Sequence, residues 1–142
     1  MIPNPDQSGV NTSSRVGQYV RSDWSASDVV YFDFDAPIVF DANEVISIKI
    51  WSQYSKDVKL ALQDEDGVDG FSVDQTISLP GNSQWQEFEF NFGSSIPSNV
   101  DIVKGVLLFA PGETGAPYTF YYDDLQKKET TSVSEYLSLI HI

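Results

Sequence analysis

Apolar residues recur along this chain at every second position, and no stretch keeps the i, i+3, i+4, i+7 spacing of a helix for three turns. Strands are therefore expected to carry the fold. Ile46, Ile48 and Ile50 alternate with Ser47, Lys49 and Trp51, so a strand over 45–51 presents one apolar face and one mixed face. Val58, Leu60 and Leu62 repeat the pattern with Lys59 and Ala61 opposite. The intervening Ser52 to Asp57 has the length of a hairpin loop, which predicts that the two strands pair. Phe88, Phe90 and Phe92 alternate with Glu87, Glu89 and Asn91, giving an aromatic inner face and an acidic outer one, with Trp85 at the start and expected in the core. Further strands are expected over 14–20, 29–34, 75–79, 102–110 and 118–125, separated by clusters of Gly, Pro, Asn and Asp. About eight strands at such spacing predict an all-β fold, a two-sheet β-sandwich of the jelly-roll kind.

In the last of these strands Tyr121, Asp123 and Leu125 fall on one face and Phe120, Tyr122 and Asp124 on the other. Strict alternation would turn one of the two aspartates inward, where a carboxylate needs a cation or a cluster of hydrogen bonds. From Gln126 the pattern stops, and Lys127, Lys128 and Glu129 lead into a Thr- and Ser-rich stretch. The sandwich is thus expected over 1–126, and 127–142 is read as a linker ending in a non-native tail.

At 142 residues, 41% hydrophobic and 20% charged, the chain has the balance of one globular domain. Its formal charge of −13 repels nucleic acid and anionic lipid surfaces, whereas a neutral polysaccharide meets no such barrier. No apolar run approaches the roughly 20 residues that cross a bilayer. The absence of cysteine removes disulfides, thiolate metal sites and thiol nucleophiles. Histidine occurs once, as His141 in the tail, which leaves no material for a Ser-His-Asp triad or a histidine metal cluster. Glu87 and Glu89 share a strand face as a glycosidase pair would, but an acidic surface strand displays such pairs by default. Asp64 to Gly70 is dense in oxygen ligands, yet Asp69 stands where an EF-hand loop needs glycine and Gln75 where it needs glutamate, so a solvated turn is expected. The chain is not expected to be an enzyme.

Aromatic residues make up 13% of the chain, with three Trp and seven Tyr, a composition suited to stacking on the flat faces of pyranose rings. Trp51 stands out, because it lies opposite the Ile46, Ile48, Ile50 face, shares its own face with Lys49, and is followed by Gln53 and Tyr54. Trp24 and Tyr118 occupy loop or strand-edge positions. The expected carbohydrate contacts are therefore Trp51, Tyr54, Trp24, Tyr118, Lys49 and Gln53.

The run NPDQSGVNTSSRVGQYV at 4–20, ISIKIWS at 46–52 followed by DVKLAL at 57–62, WQEFEFNF at 85–92, IVKGVLLFAPG at 102–112 and YTFYYDDL at 118–125 together resemble the jelly-roll carbohydrate-binding modules appended to bacterial laminarinases and related glycoside hydrolases. The resemblance implies non-catalytic binding of a polysaccharide, a β-glucan by preference, in a secreted or cell-surface bacterial protein whose attached catalytic domain the module brings to its substrate. It also implies a structural calcium near the sandwich edge with Asp123 as a ligand. The first strand of such modules is expected to be missing here, leaving a bare sheet edge prone to association. It leaves open whether sugar lies on a concave sheet face or at the loops of one end. The competing reading is a structural or adhesion sandwich that binds no glycan.

Overall fold

The computed structural model describes residues 1–21, 29–38, 44–93, 95–97, 99–111, 118–128 and 136–140. Among these, ten strands run in the order β1 (Ile2–Pro3), β2 (Arg15–Arg21), β3 (Val30–Ile38), β4 (Glu44–Ser52), β5 (Asp57–Gln63), β6 (Ser72–Ser78), β7 (Gln84–Gly93), β8 (Ile102–Phe109), β9 (Tyr118–Lys128) and β10 (Tyr136–Ile140). They form two antiparallel sheets. One is six-stranded, in the order β1-β2-β9-β4-β7 with β10 also on β9, and the other is four-stranded, β3-β8-β5-β6. Each expected strand exists, with ends shifted by a few residues.

The two sheets bury their apolar faces against each other. Ile46, Ile48 and Ile50 of β4 and Phe90 and Phe92 of β7 belong to the same buried cluster as Val58, Leu60 and Leu62 of β5 and Leu107 and Phe109 of β8. This corrects the expected hairpin. β4 pairs with β7 and β9, β5 pairs with β6 and β8, and the connection between β4 and β5 crosses from sheet to sheet. Two strands with one apolar face each satisfy the same periodicity whether they lie side by side or face to face, so the pattern alone does not separate the two. The crossing is fixed by Ser52, whose Oγ accepts from the Tyr54 amide at 2.8 Å, and by Gly81, packed against it at φ +71°, where a Cβ would sit 2.5 Å from the Ser55 nitrogen.

The buried aspartate exists, but not between the sheets. Phe120, Tyr122 and Leu125 all reach the core, although they do not share one alternation. The register between β4 and β9 slips between Ser47 paired with Gln126 and Lys49 paired with Asp123, and Asp124 takes φ 51°. This bulge resets the alternation, so the buried aspartate, Asp123, lies on the outer face of the sheet beside Lys49 rather than between the sheets, and it is held by hydrogen bonds, as expected of a buried carboxylate.

β9 continues past the expected domain boundary to Lys128, and Tyr136–Ile140, expected to belong to the tail, pair with it as β10. Beside β2 the sheet edge carries the two-residue β1, with Ile2 opposite Val16. Aromatic rings join the layers: Phe109 stacks on Phe120 with centroids 4.7 Å apart and on Tyr19 at 5.5 Å. Arg21, 1% exposed, reaches from β2 to the opposite sheet, where its Nη1 donates to the Phe109 carbonyl at 2.6 Å.

Burial raises the pKa of the Tyr122 phenol above the ordinary 10.0. The folded state therefore holds the proton where the unfolded chain releases it, and the stability present below the unfolded value is lost as pH rises through the folded one. Chemical denaturation of the wild type should show stability falling above about pH 10, and Tyr122→Phe should flatten that decline. An equally steep decline in the variant would assign the alkaline loss to other groups.

Candidate functional site

The expected contact residues fall into two places. Trp51 and Lys49 stand on the outer face of β4, in line with the alternation that places Ile48 and Ile50 inside. Trp51 is partly buried and meets Tyr121 of β9 edge-on, with centroids 5.6 Å apart at 74°. Lys49 Nζ lies 2.7 Å from Asp124 Oδ2 in an ion pair. Tyr54 and Tyr118 pack instead against the core at the end of the sandwich, their rings 4.9 Å apart, with Lys56 Nζ 4.9 Å from the Tyr118 centroid. Exposed Gln53 donates to the Tyr54 hydroxyl at 2.8 Å. Trp24 lies outside the described residues. The five that are described therefore do not share one platform.

Strand pairing sets Gln18, Tyr121, Trp51 and Trp85 in one row across the six-stranded sheet. The N-terminal segment covers part of that row. Asn11 Nδ2 donates to Asp123 Oδ2 on β9 at 3.1 Å, and Asn4 Oδ1 accepts from Trp85 Nε1 on β7 at 2.9 Å, so residues 4–11 bridge over the intervening β4. Trp85 is 4% exposed beneath this segment rather than between the sheets. Trp51 Nε1 is buried, and no acceptor meets it among the described residues.

The outer face of the four-stranded sheet is different. Tyr31 on β3 is 73% exposed, opposite Val106 of β8, which in turn lies opposite Ala61 of β5, then Asp74 of β6. Val106 and Ala61 are 8% and 7% exposed and make a low apolar floor. One row to one side holds Leu108, Lys59 and Thr76; the row to the other holds Asp33, Lys104, Gln63 and Ser72. Lys59 and Asp74 pair at 3.5 Å, Lys104 Nζ donates to the Glu65 carbonyl at 2.8 Å, and Gln63 Nε2 to Ser72 Oγ at 3.2 Å. Four strands at about 4.8 Å spacing span about 14 Å, long enough for more than one pyranose ring. Sequence reading missed Tyr31. The signal was present, since Tyr31 alternates with the inward Phe32, but the adjacent aromatics of β3 hid which one faces water.

Asp123, the expected calcium ligand, is met by hydrogen-bond donors of the protein itself. Its Oδ2 takes the Asn11 amide and its Oδ1 takes the Asp124 backbone N–H at 2.9 Å, while Asn11 Oδ1 is committed to the Ser13 N–H at 3.0 Å. Each carboxylate oxygen thus accepts a hydrogen bond, as a carboxylate buried to 3% exposure requires. Among the described residues no group of three or more acidic or histidine side chains is placed to hold an ion. Adding calcium, or EDTA, should leave the Tm unchanged within about 1 °C, whereas a bound structural ion would raise it with calcium concentration. In the Asp64 to Gly70 turn, Asp64 Oδ1 accepts the Asp66 N–H at 3.1 Å, and a Cβ on Gly70 would lie 2.5 Å from that oxygen. The carboxylate is folded into its own turn. Glu87 and Glu89 are exposed along β7, an arrangement of neighbours on an open strand rather than of two acids facing across a bond.

No helix among the described residues is long and apolar enough to cross a membrane. No sequence-family model and no curated protein matches the chain. Solved structures do. One described as a non-crystalline cellulose specific carbohydrate-binding module, CBM28, superposes with a TM-score of 0.57 at 13% identity, covering 84% of this chain and 76% of its own. A structure described as a carbohydrate-binding module of the β-sandwich superfamily with promiscuous specificity gives 0.49 at 10% identity, over 79% and 53%. With its two antiparallel sheets and buried aromatic core, the chain has the β-sandwich fold in which the CBM28 carbohydrate-binding module is built.

Proposed function

We propose that this protein binds a neutral polysaccharide, without catalysis, on the outer face of the four-stranded sheet. The observation that carries the reading is Tyr31: a ring 73% exposed beside a floor of Val106 and Ala61, ringed by hydroxyl, amide, lysine and carboxylate groups. An exposed ring supplies the apolar stacking surface, and the flanking groups supply donors and acceptors for sugar hydroxyls. The formal charge of −13 favours an uncharged polymer, and a β-glucan is the preferred one. In a secreted or surface-held protein such binding raises the local concentration of an attached glycoside hydrolase at its substrate.

Affinity electrophoresis through gels containing laminarin, barley β-glucan, xylan or no polysaccharide tests the reading. Retardation in a glucan gel is expected, with Trp51→Ala retarded as strongly as the wild type. Loss of retardation in Trp51→Ala would move the site to the six-stranded sheet. A folded sample retarded in no gel would leave a sandwich that serves as a spacer or adhesion module.

A further inference from the structure

A concavity lies away from Tyr31, on the side of the other sheet. The N-terminal segment and the connection between β6 and β7 enclose a cleft of about 460 Å³ lined by Asp6, Ser8, Gly9, Ser83, Gln84 and Trp85. Its volume falls within the roughly 300–1,000 Å³ of small-molecule sites. From these residues we infer that the cleft binds a single neutral sugar residue, such as the end of a glycan chain. The inference rests on the glycan-binding reading above but assigns a separate site.

The lining has the chemistry of polyol recognition. One carboxylate accepts protons from neighbouring hydroxyls, two serine hydroxyls and one primary amide both donate and accept, and one indole offers an apolar wall. The lining holds a carboxylate and no cationic side chain, so a phosphate or a uronate would meet repulsion in a protein of formal charge −13. The walls are also fixed in advance. Ser8 Oγ donates to Asp6 Oδ1, and the Ser8 amide donates to the Asp6 carbonyl at 2.8 Å. On the opposite wall Ser83 sits at φ 56°, its amide tied to the Ser52 carbonyl at 3.0 Å. Trp85 is held by its Nε1 donation to Asn4. Groups ordered before the ligand arrives lower the entropic cost of binding.

The test is a titration of the full chain, uniformly labelled with 15N, with glucose, galactose, mannose and xylose in turn. At least one sugar should shift the amide signals of Ser8, Gly9, Ser83 and Trp85 along a saturating curve, with Kd about 1 mM, as expected for a small weak ligand. Gln84→Ala and Asp6→Asn, each checked for an undisturbed Tm, should weaken binding at least tenfold. Tyr31→Ala should leave this titration unchanged. Shifts that fail to saturate, that spread evenly over the molecule, or that survive both cleft variants overturn the inference. If none of the four sugars moves these signals while the glucan gel still retards the chain, the cleft is excluded and the sheet-face reading stands. Saturating shifts in a protein that no gel retards would keep the cleft as a sugar site and remove the sheet face.

Discussion

Tyr31→Ala is expected to abolish most of the retardation of the protein in a β-glucan gel, a loss of at least tenfold in affinity, or about 1.4 kcal/mol. The ring is 73% exposed on the outer face of β3, so its removal takes away a stacking surface and little else. Surface substitutions of this kind change stability by about 0.5 kcal/mol or less, and the Tm should therefore hold. Tyr31→Phe separates the two contributions of the side chain: it keeps the ring face and loses the hydroxyl, and should retain most of the binding. A Tyr31→Ala protein that binds as well as the wild type would sink the assignment of this face, whatever the variant at Trp51 does. Val106 and Ala61 give a second handle. A bulky residue at position 61, such as Ala61→Arg, would fill the floor beside Tyr31 and should block binding while leaving Tyr31 in place.

Phe109→Ala should cost about 3–5 kcal/mol and lower the Tm by roughly 10–20 °C. Phe109 is fully buried in β8, stacks on Phe120 and Tyr19, and lies 6.0 Å from the Tyr122 ring, so one side chain of the four-stranded sheet touches three aromatic residues of the other. Truncation opens a cavity that the two rigid sheets cannot close, and total stabilities of about 5–15 kcal/mol leave little reserve. The Arg21 guanidinium above it also bears on the result, because the carbonyl it bonds belongs to the same residue. Phe109→Leu keeps that backbone contact and most of the volume and should cost under about 1.5 kcal/mol. Equal losses in the two variants would show that ring stacking rather than volume holds the sheets together.

Strand existence was legible because period-two alternation is a local property, and Ile46, Ile48, Ile50 and Phe88, Phe90, Phe92 all turn inward as the alternation predicts. Sheet membership was not, since β4 and β5 meet the core from opposite sides while showing the same pattern as a hairpin. The bulge at Asp124 escaped notice for a related reason: alternation read from sequence assumes that every residue advances the ladder, and here two residues of β9 face one of β4. Among the site residues, Trp51 and Lys49 were placed on the correct outer face, but Tyr54 and Tyr118 pack together against the core. An aromatic near a turn looks alike in sequence whether it projects or folds back, and only the crossing of the chain between sheets decides. Tyr31 shows the converse, a residue in an expected strand whose exposure follows from its alternation with the buried Phe32.

The central place of β9 has a consequence for how the protein is made. β9 is hydrogen-bonded to β4 on one side and to β2 on the other, and Gln18 meets Tyr121 across 103 residues of sequence. On the ribosome β2 and β4 therefore emerge long before the strand that joins them, each with an unpaired edge and an apolar face. The larger sheet closes only after β9 is synthesised, so folding is late, dominated by distant pairings and slow for a chain of this size. Until then the nascent chain depends on its negative charge, and on any chaperone at hand, to keep those edges from pairing with a neighbour.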